Sequence, residues 1–196
     1  MTMKMIAACA VLACATGLFC SKLQASSLPP ELQPLVPAGA LGGQAKLSVW
    51  GFEVYNATLW VAPGFLQTAY EQHAFALELA YLRDFAGSDI AKRSVSEMRR
   101  QKAISPLDET RWEGQMRAVF PDVKAGERLT GVNLPGVGAQ FRAKGRVLGE
   151  IRDPEFAKLF FGIWLSPQSS EPRMRQSLLA QVPPVVPSAS SAYSPR

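Results

Sequence analysis

The run "DPEFAKLFFGIWLS", Asp153 to Ser166, sets the strongest condition on how the chain can fold. It opens as a helix should, with Asp153 as N-cap, Pro154 in the first turn and the Glu155 acid near the positive helix end. Glu155, Lys158 and Gly162 alone break the apolar run, and at helical spacing they share one face. Phe156, Leu159, Phe160, Phe161, Ile163, Trp164 and Leu165 cover the rest of the circumference. A helix apolar on most sides must be enclosed on several of them. Ten residues rise only about 15 Å, roughly half a bilayer core, so length excludes a membrane span. The rest of the chain must therefore wrap this helix.

With 196 residues, 47% of them hydrophobic, the chain can build one domain with a sizeable core. "AKLSVWGFEVYNATLWVA" carries two β-rich runs around Gly51 and reads as a hairpin. In "AFALELAYL", an extended backbone puts Phe75, Leu77, Leu79 and Tyr81 on one face. "SDIAKRSVSEMRRQK" reads as a helix with Ser88 as N-cap and a stripe of Ala91, Val95 and Met98. "SPLDETRWEGQMRAVF" is a second helix, stopped by Pro121. "ERLTGVNLP" and "AQFRAKGRVLGEI" read as strands, the latter turning at Lys144-Gly145, and "EPRMRQSLLA" as a last short helix. Antiparallel strands grouped apart from helices predict an α+β domain with helices on one face of a sheet.

The two ends differ in kind. "MTMK" followed by the apolar run Met5–Cys20 and the exit "SKLQA" has the layout of a secretory signal peptide, residues 1–25, cut after Ala25. Periplasmic or secreted localisation is then expected, with lipidation at Cys14 or Cys20 the lesser alternative. Cys9, Cys14 and Cys20 all lie in that segment, so a processed chain would carry no thiol and no Cys-ligated metal. Residues 26–38 form a Pro-rich lead-in expected to run extended, residues 39–181 the domain, and residues 182–196 a Pro/Ser-rich tail expected to be disordered.

Charge and motifs exclude several function classes. The net charge is +5; without Lys4 and Lys22, 19 basic residues face 16 acidic ones, a net +3 that is no nucleic-acid footprint. His73 is the single histidine, which rules out a Ser-His-Asp triad or a multi-histidine metal site. "LPGVGAQ" lacks the Lys and Ser/Thr of a phosphate loop. Lys92-Arg93 and Arg99-Arg100 recur at a spacing of seven and read as a solvated helix face. No metal and no cofactor is expected.

"DPEFAKLFFGIWLSPQSSEPRMRQSLL" resembles the C-terminal part of the bacterial chalcone isomerase-like proteins. "LSVWGFEVYNATLWV", "LELAYLRDFAGSDIAKRSVSEM" and "FPDVKAGERLTGVNLPGVGAQF" resemble, in order, that family's hairpin, its strand and helix, and its Gly-rich strand region. The resemblance implies an open-faced β-sandwich, a large antiparallel sheet covered by helices that enclose a ligand cleft. Some members of the family isomerise chalcones, and others bind fatty acids without known chemistry. The resemblance places the isomerases' Arg at or near Lys46, their Thr at Asn56, their Tyr at Ile90 and their Asn at Glu97. A hydroxyl near the last helix falls on Ser169 or Ser170. Ile90 has no hydroxyl, Lys46 is a point charge where Arg is a fork, and an ionised Glu97 would repel a phenolate. Three polar roles are changed, which argues against plant-type isomerisation.

The expected function is therefore an exported, non-catalytic protein that binds a small apolar or amphipathic molecule such as a fatty acid. Lys46 is the expected anchor, with Asn56 and Ser170 beside it. One alternative is an isomerase or intramolecular lyase with Glu97 as base. Another is an envelope scaffold whose cleft is filled by its own side chains.

Overall fold

The structure is a computed structural model that describes residues 27–183. Six strands follow one another along the chain and lie in that same order in one antiparallel sheet: β1 (Ala40–Val49), β2 (Phe52–Val61), β3 (Phe75–Tyr81), β4 (Arg128–Leu134), β5 (Gly138–Ala143) and β6 (Arg146–Ile151). Two of the hairpins close through two-residue turns with positive φ at both positions, Trp50-Gly51 and Lys144-Gly145. Such turns match the right-handed twist of the strands they join. Period-two alternation then sorts the side chains. Ala57, Leu59, Val61, Phe75, Leu77, Leu79 and Tyr81 face the helices as part of the main core.

Four helices cover that face: α1 (Gly87–Gln101) and α2 (Pro106–Val119) between β3 and β4, then α3 (Pro154–Leu165) and α4 (Pro172–Leu178) after β6. This is the α+β layering that the sequence pattern predicts. Ala91, Val95 and Met98 of α1 are buried as their spacing requires. The start of α1 differs from expectation: it begins at Gly87, so Ser88 lies inside the first turn and caps nothing. Its orphan donor is met from a distance in sequence, with Asp122 Oδ1 accepting from Gly87 N–H at 2.9 Å.

α3 is enclosed as its composition demands. Phe161 meets Phe75 edge-on at 4.8 Å, and Phe160 meets Phe141 edge-on at 5.2 Å and stacks on Phe156 at 5.4 Å. Glu155 and Lys158 reach solvent, but Gly162, on the same face by spacing, is buried. The small residue there lets α1 and the Tyr70 loop approach closely. Gln101 Nε2 donates to Leu159 O at 2.7 Å and the Tyr70 hydroxyl to Lys158 O at 2.9 Å.

The lead-in does not run extended. Pro30–Leu32 form a 3-10 turn, and Val36 N–H donates to Leu32 O at 2.9 Å. Leu32 and Val36 are thereby buried against Trp60, Ala76 and Val132 on the sheet face away from the helices. Burial of two aliphatic side chains, each contributing about 1.5–3 kcal/mol, outweighs the weak extended preference of a Pro-rich segment. At the other end Val182 also packs into the core, one residue beyond the expected domain limit. The predicted signal peptide and all but the first two residues of the predicted tail lie outside the described residues.

Asp153 ties two helices together. Its Oδ1 accepts from Glu155 N–H and Phe156 N–H, capping α3, while Oδ2 accepts from the Trp112 indole and from Arg111 of α2, both at 2.9 Å. Burial pushes this carboxyl up, but the bonds from Trp112, Phe156 N–H and Arg111 together hold it below the usual Asp value. A lowered folded-state pKa means stability that is present above the unfolded value of about 3.9 and lost as pH falls through the folded value. Asp153→Ala should therefore cost about 1–2 kcal/mol at pH 7. In urea titrations the gap to the parent should narrow below about pH 4. A Cβ on Gly43 would lie 2.1 Å from Ser177 O and 2.6 Å from Leu178 O, the backbone of α4. Gly43→Ala should accordingly lose about 1–3 kcal/mol in the same assay. Gly42→Ala, which meets only the Leu59 side chain and the Val61 side chain, should lose less.

Candidate functional site

The residues singled out from sequence fall on two sides of the sheet. Lys46 and Asn56 are cross-strand partners on β1 and β2. Their neighbours Ala45, Leu47, Tyr55 and Ala57 contact the helix-side core, so Lys46 and Asn56 point the other way. There they line an open groove of about 660 Å³ with Gln44, Thr58, Trp60 and Arg128, and Lys46 is ion-paired with Glu53. Ile90 and Glu97 lie on the helix side, Ile90 half-buried and Glu97 only 7% exposed. The sheet thus separates Lys46 and Asn56 from the helix-side members of the expected site. A local alignment one residue out of register sends a strand side chain to the opposite face.

The helix-side residues form a connected polar group. Glu97 Oε2 accepts from the Ser170 hydroxyl at 2.8 Å and lies 3.3 Å from Arg100 Nε. Its Oε1 lies 2.6 Å from Arg93 Nη2, a charge contact without hydrogen-bond geometry. Both guanidiniums are more than half exposed, so they join a buried carboxylate to solvent. Ser169 plays a different part. Its hydroxyl donates to Ile163 O at 2.7 Å and accepts from Glu171 N–H at 3.2 Å, which shapes the turn after α3.

Two tyrosines that sequence reasoning did not single out as site residues complete the group. Tyr55, on β2, accepts from the Trp164 indole of α3 at 3.0 Å. Tyr81, on β3, meets Tyr55 edge-on at 6.0 Å and Phe85 at 5.6 Å. Burial pushes both phenols well above the ordinary tyrosine range, so each hydroxyl keeps its proton. The charges of Glu171, Glu97 and Arg93 act on the Tyr55 hydroxyl, which places it within reach of the Glu97 group. Among the described residues no acceptor takes the Tyr55 proton, and the Tyr81 hydroxyl has no hydrogen-bond partner. The signal for Tyr55 is present in the sequence: it shares strand parity with Ala57, Leu59 and Val61, the apolar face of β2.

The arrangement offers hydrogen-bond donors to a buried acceptor. Glu97, with Ser170 and two arginines on its oxygens, is not aimed at an empty apolar space as a general base would be. His73 sits in a loop, half-buried with its ring 5.7 Å from that of Phe65. Among the described residues no three His, Cys, Asp or Glu side chains are grouped to hold a metal ion.

Comparison with known proteins agrees with this architecture. A fatty-acid binding protein from Arabidopsis thaliana superposes with a TM-score of 0.56 at 9% identity, covering 73% of this chain and 87% of its own. An uncharacterized protein from Haemophilus influenzae is 29% identical over 133 residues, 67% of this chain and 64% of that protein's length. Residues 38–180 match the family described as chalcone isomerase-like, and the chain belongs to that family.

Proposed function

We propose that this protein binds a small amphipathic molecule without transforming it, and that the ligand is a fatty acid or a similar chain with an acceptor head group. The observation that carries the reading is the pair of phenols, half-buried Tyr55 and buried Tyr81, with hydroxyl protons that no described residue accepts. Two phenols still free to donate, beside an apolar core, are what a ligand's carboxylate or carbonyl would use. The apolar side chains that touch them, Trp164 and Phe85, suit an alkyl chain. That the Arabidopsis fold relative is named a fatty-acid binding protein points the same way.

Lys46 is not the anchor in this reading, because it opens on the opposite face. Arg93 and Arg100 stand at the solvent side of the Glu97 group and offset its charge, which would otherwise repel an anionic head. Most of the affinity comes from apolar burial and the orientation from the phenols.

Titration with a panel of C12–C18 fatty acids, followed by displacement of a fluorescent fatty acid and by native mass spectrometry, tests the reading. Saturable binding is expected, weakened about ten- to hundredfold in Tyr81→Phe, the cost of a lost bond to a charged acceptor. Absence of saturable binding across the panel would exclude the function and favour a scaffold filled by its own side chains. Unchanged affinity of Tyr81→Phe would instead exclude this position for the head group.

We also propose that the protein acts outside the cytoplasm, on the strength of the leader-like residues 1–25. Mass spectrometry of the protein recovered from its host should find a mature chain beginning at Ser26.

A further inference from the structure

The β1–β2 hairpin overshoots the sheet. β3 pairs with β2 only from Tyr55 to Val61, so Ser48 to Glu53 project past the neighbouring strand. The end of this projection is apolar: Trp50 is 95% exposed, Phe52 60% and Val49 42%. Trp50 also holds the first turn position at φ 50°, in the left-handed region. Asn, Asp or Gly hold that position in two-residue turns of this kind, and a bulky side chain there is strained. A residue that breaks a local rule and gains no contact within the fold marks a functional position.

We propose that this tip docks in the interface of a lipid bilayer, with Trp50 and Phe52 among the headgroups and the rest of the domain above them. Indole and phenyl rings are the side chains that partition to that depth. Three side chains on one turn fall far short of the roughly 800 Å² per partner that a stable protein interface needs, whereas a bilayer surrounds a protruding tip on all sides. The charge fits as well. Arg83 lies over the Phe52 ring at 5.0 Å and pairs with no carboxylate among the described residues. Its guanidinium is placed to reach lipid phosphates while its stem lies on the ring. Lys46 and Glu53 neutralise each other behind the tip. No described helix is long and apolar enough to cross a membrane. The proposal does not rest on the fatty-acid reading.

Trp50 is the exposed indole of four, since Trp60, Trp112 and Trp164 are buried, and residues 1–25 contain none. The blue shift of tryptophan emission on adding vesicles therefore reports the tip. With vesicles of phosphatidylcholine alone, and of phosphatidylcholine and phosphatidylglycerol at 3:1, we expect a shift with co-sedimentation. Binding should be about fivefold tighter to the anionic mixture. Trp50→Asn restores a residue the turn favours and should raise Tm while weakening vesicle binding at least tenfold. Absence of vesicle binding, or undiminished binding by Trp50→Asn, overturns the proposal. So does a lowered Tm in Trp50→Asn, which would make Trp50 structural. A blue shift that needs no vesicles and grows with protein concentration would assign the tip to a second copy of the chain and also overturns it.

Discussion

The fold hangs on the burial of α3. Phe161 drives toward the sheet between Phe75 and β4, where Gly131 leaves it room: a Cβ there would stand 3.0 Å from the Phe161 ring. The helix is held along its whole length. Asp153 joins its start to α2, Gln101 of α1 reaches its middle at Leu159 O, and Arg175 of α4 donates to Leu165 O at its end. The bonds at the two ends go to groups that an isolated helix would leave to water. The aromatic contacts provide the free energy and these polar ties set the direction in which each neighbouring helix crosses.

This constraint explains what the sequence reveals and what it hides. The all-round apolar character of Asp153–Ser166 is a local property, and it correctly implies a helix wrapped on several sides. Strand alternation in Phe75–Tyr81 and the Lys144-Gly145 turn are local too. The start of α1 is not, because its capping acceptor, Asp122, lies 35 residues away. Nor is the turn of the lead-in, whose composition favours an extended chain but whose Leu32 and Val36 find a hydrophobic patch on Trp60, Ala76 and Val132. Tertiary burial decides where local preference is weak.

The candidate site divides in the same way. Glu97 and Ser170 are close in space because α1 and the turn after α3 meet, and the family resemblance points to both positions. Lys46 and Asn56 depend on strand register, and a single residue of register decides which side of a six-stranded sheet they serve. The apolar parity of Ala45, Leu47, Tyr55 and Ala57 is legible in the sequence, and it puts Tyr55 rather than Asn56 on the helix side.

β2 also links the tip to the candidate site. Tyr55 is three residues from Phe52, roughly 10 Å along an extended strand, and the intervening chain is stiffened by its pairing with β1. A tip seated among lipid headgroups would hold the Tyr55–Tyr81 pair about that distance above them, with the Trp164 indole bonded to Tyr55. Placing the donors on the strand that carries the tip makes docking and head-group capture consequences of one hairpin.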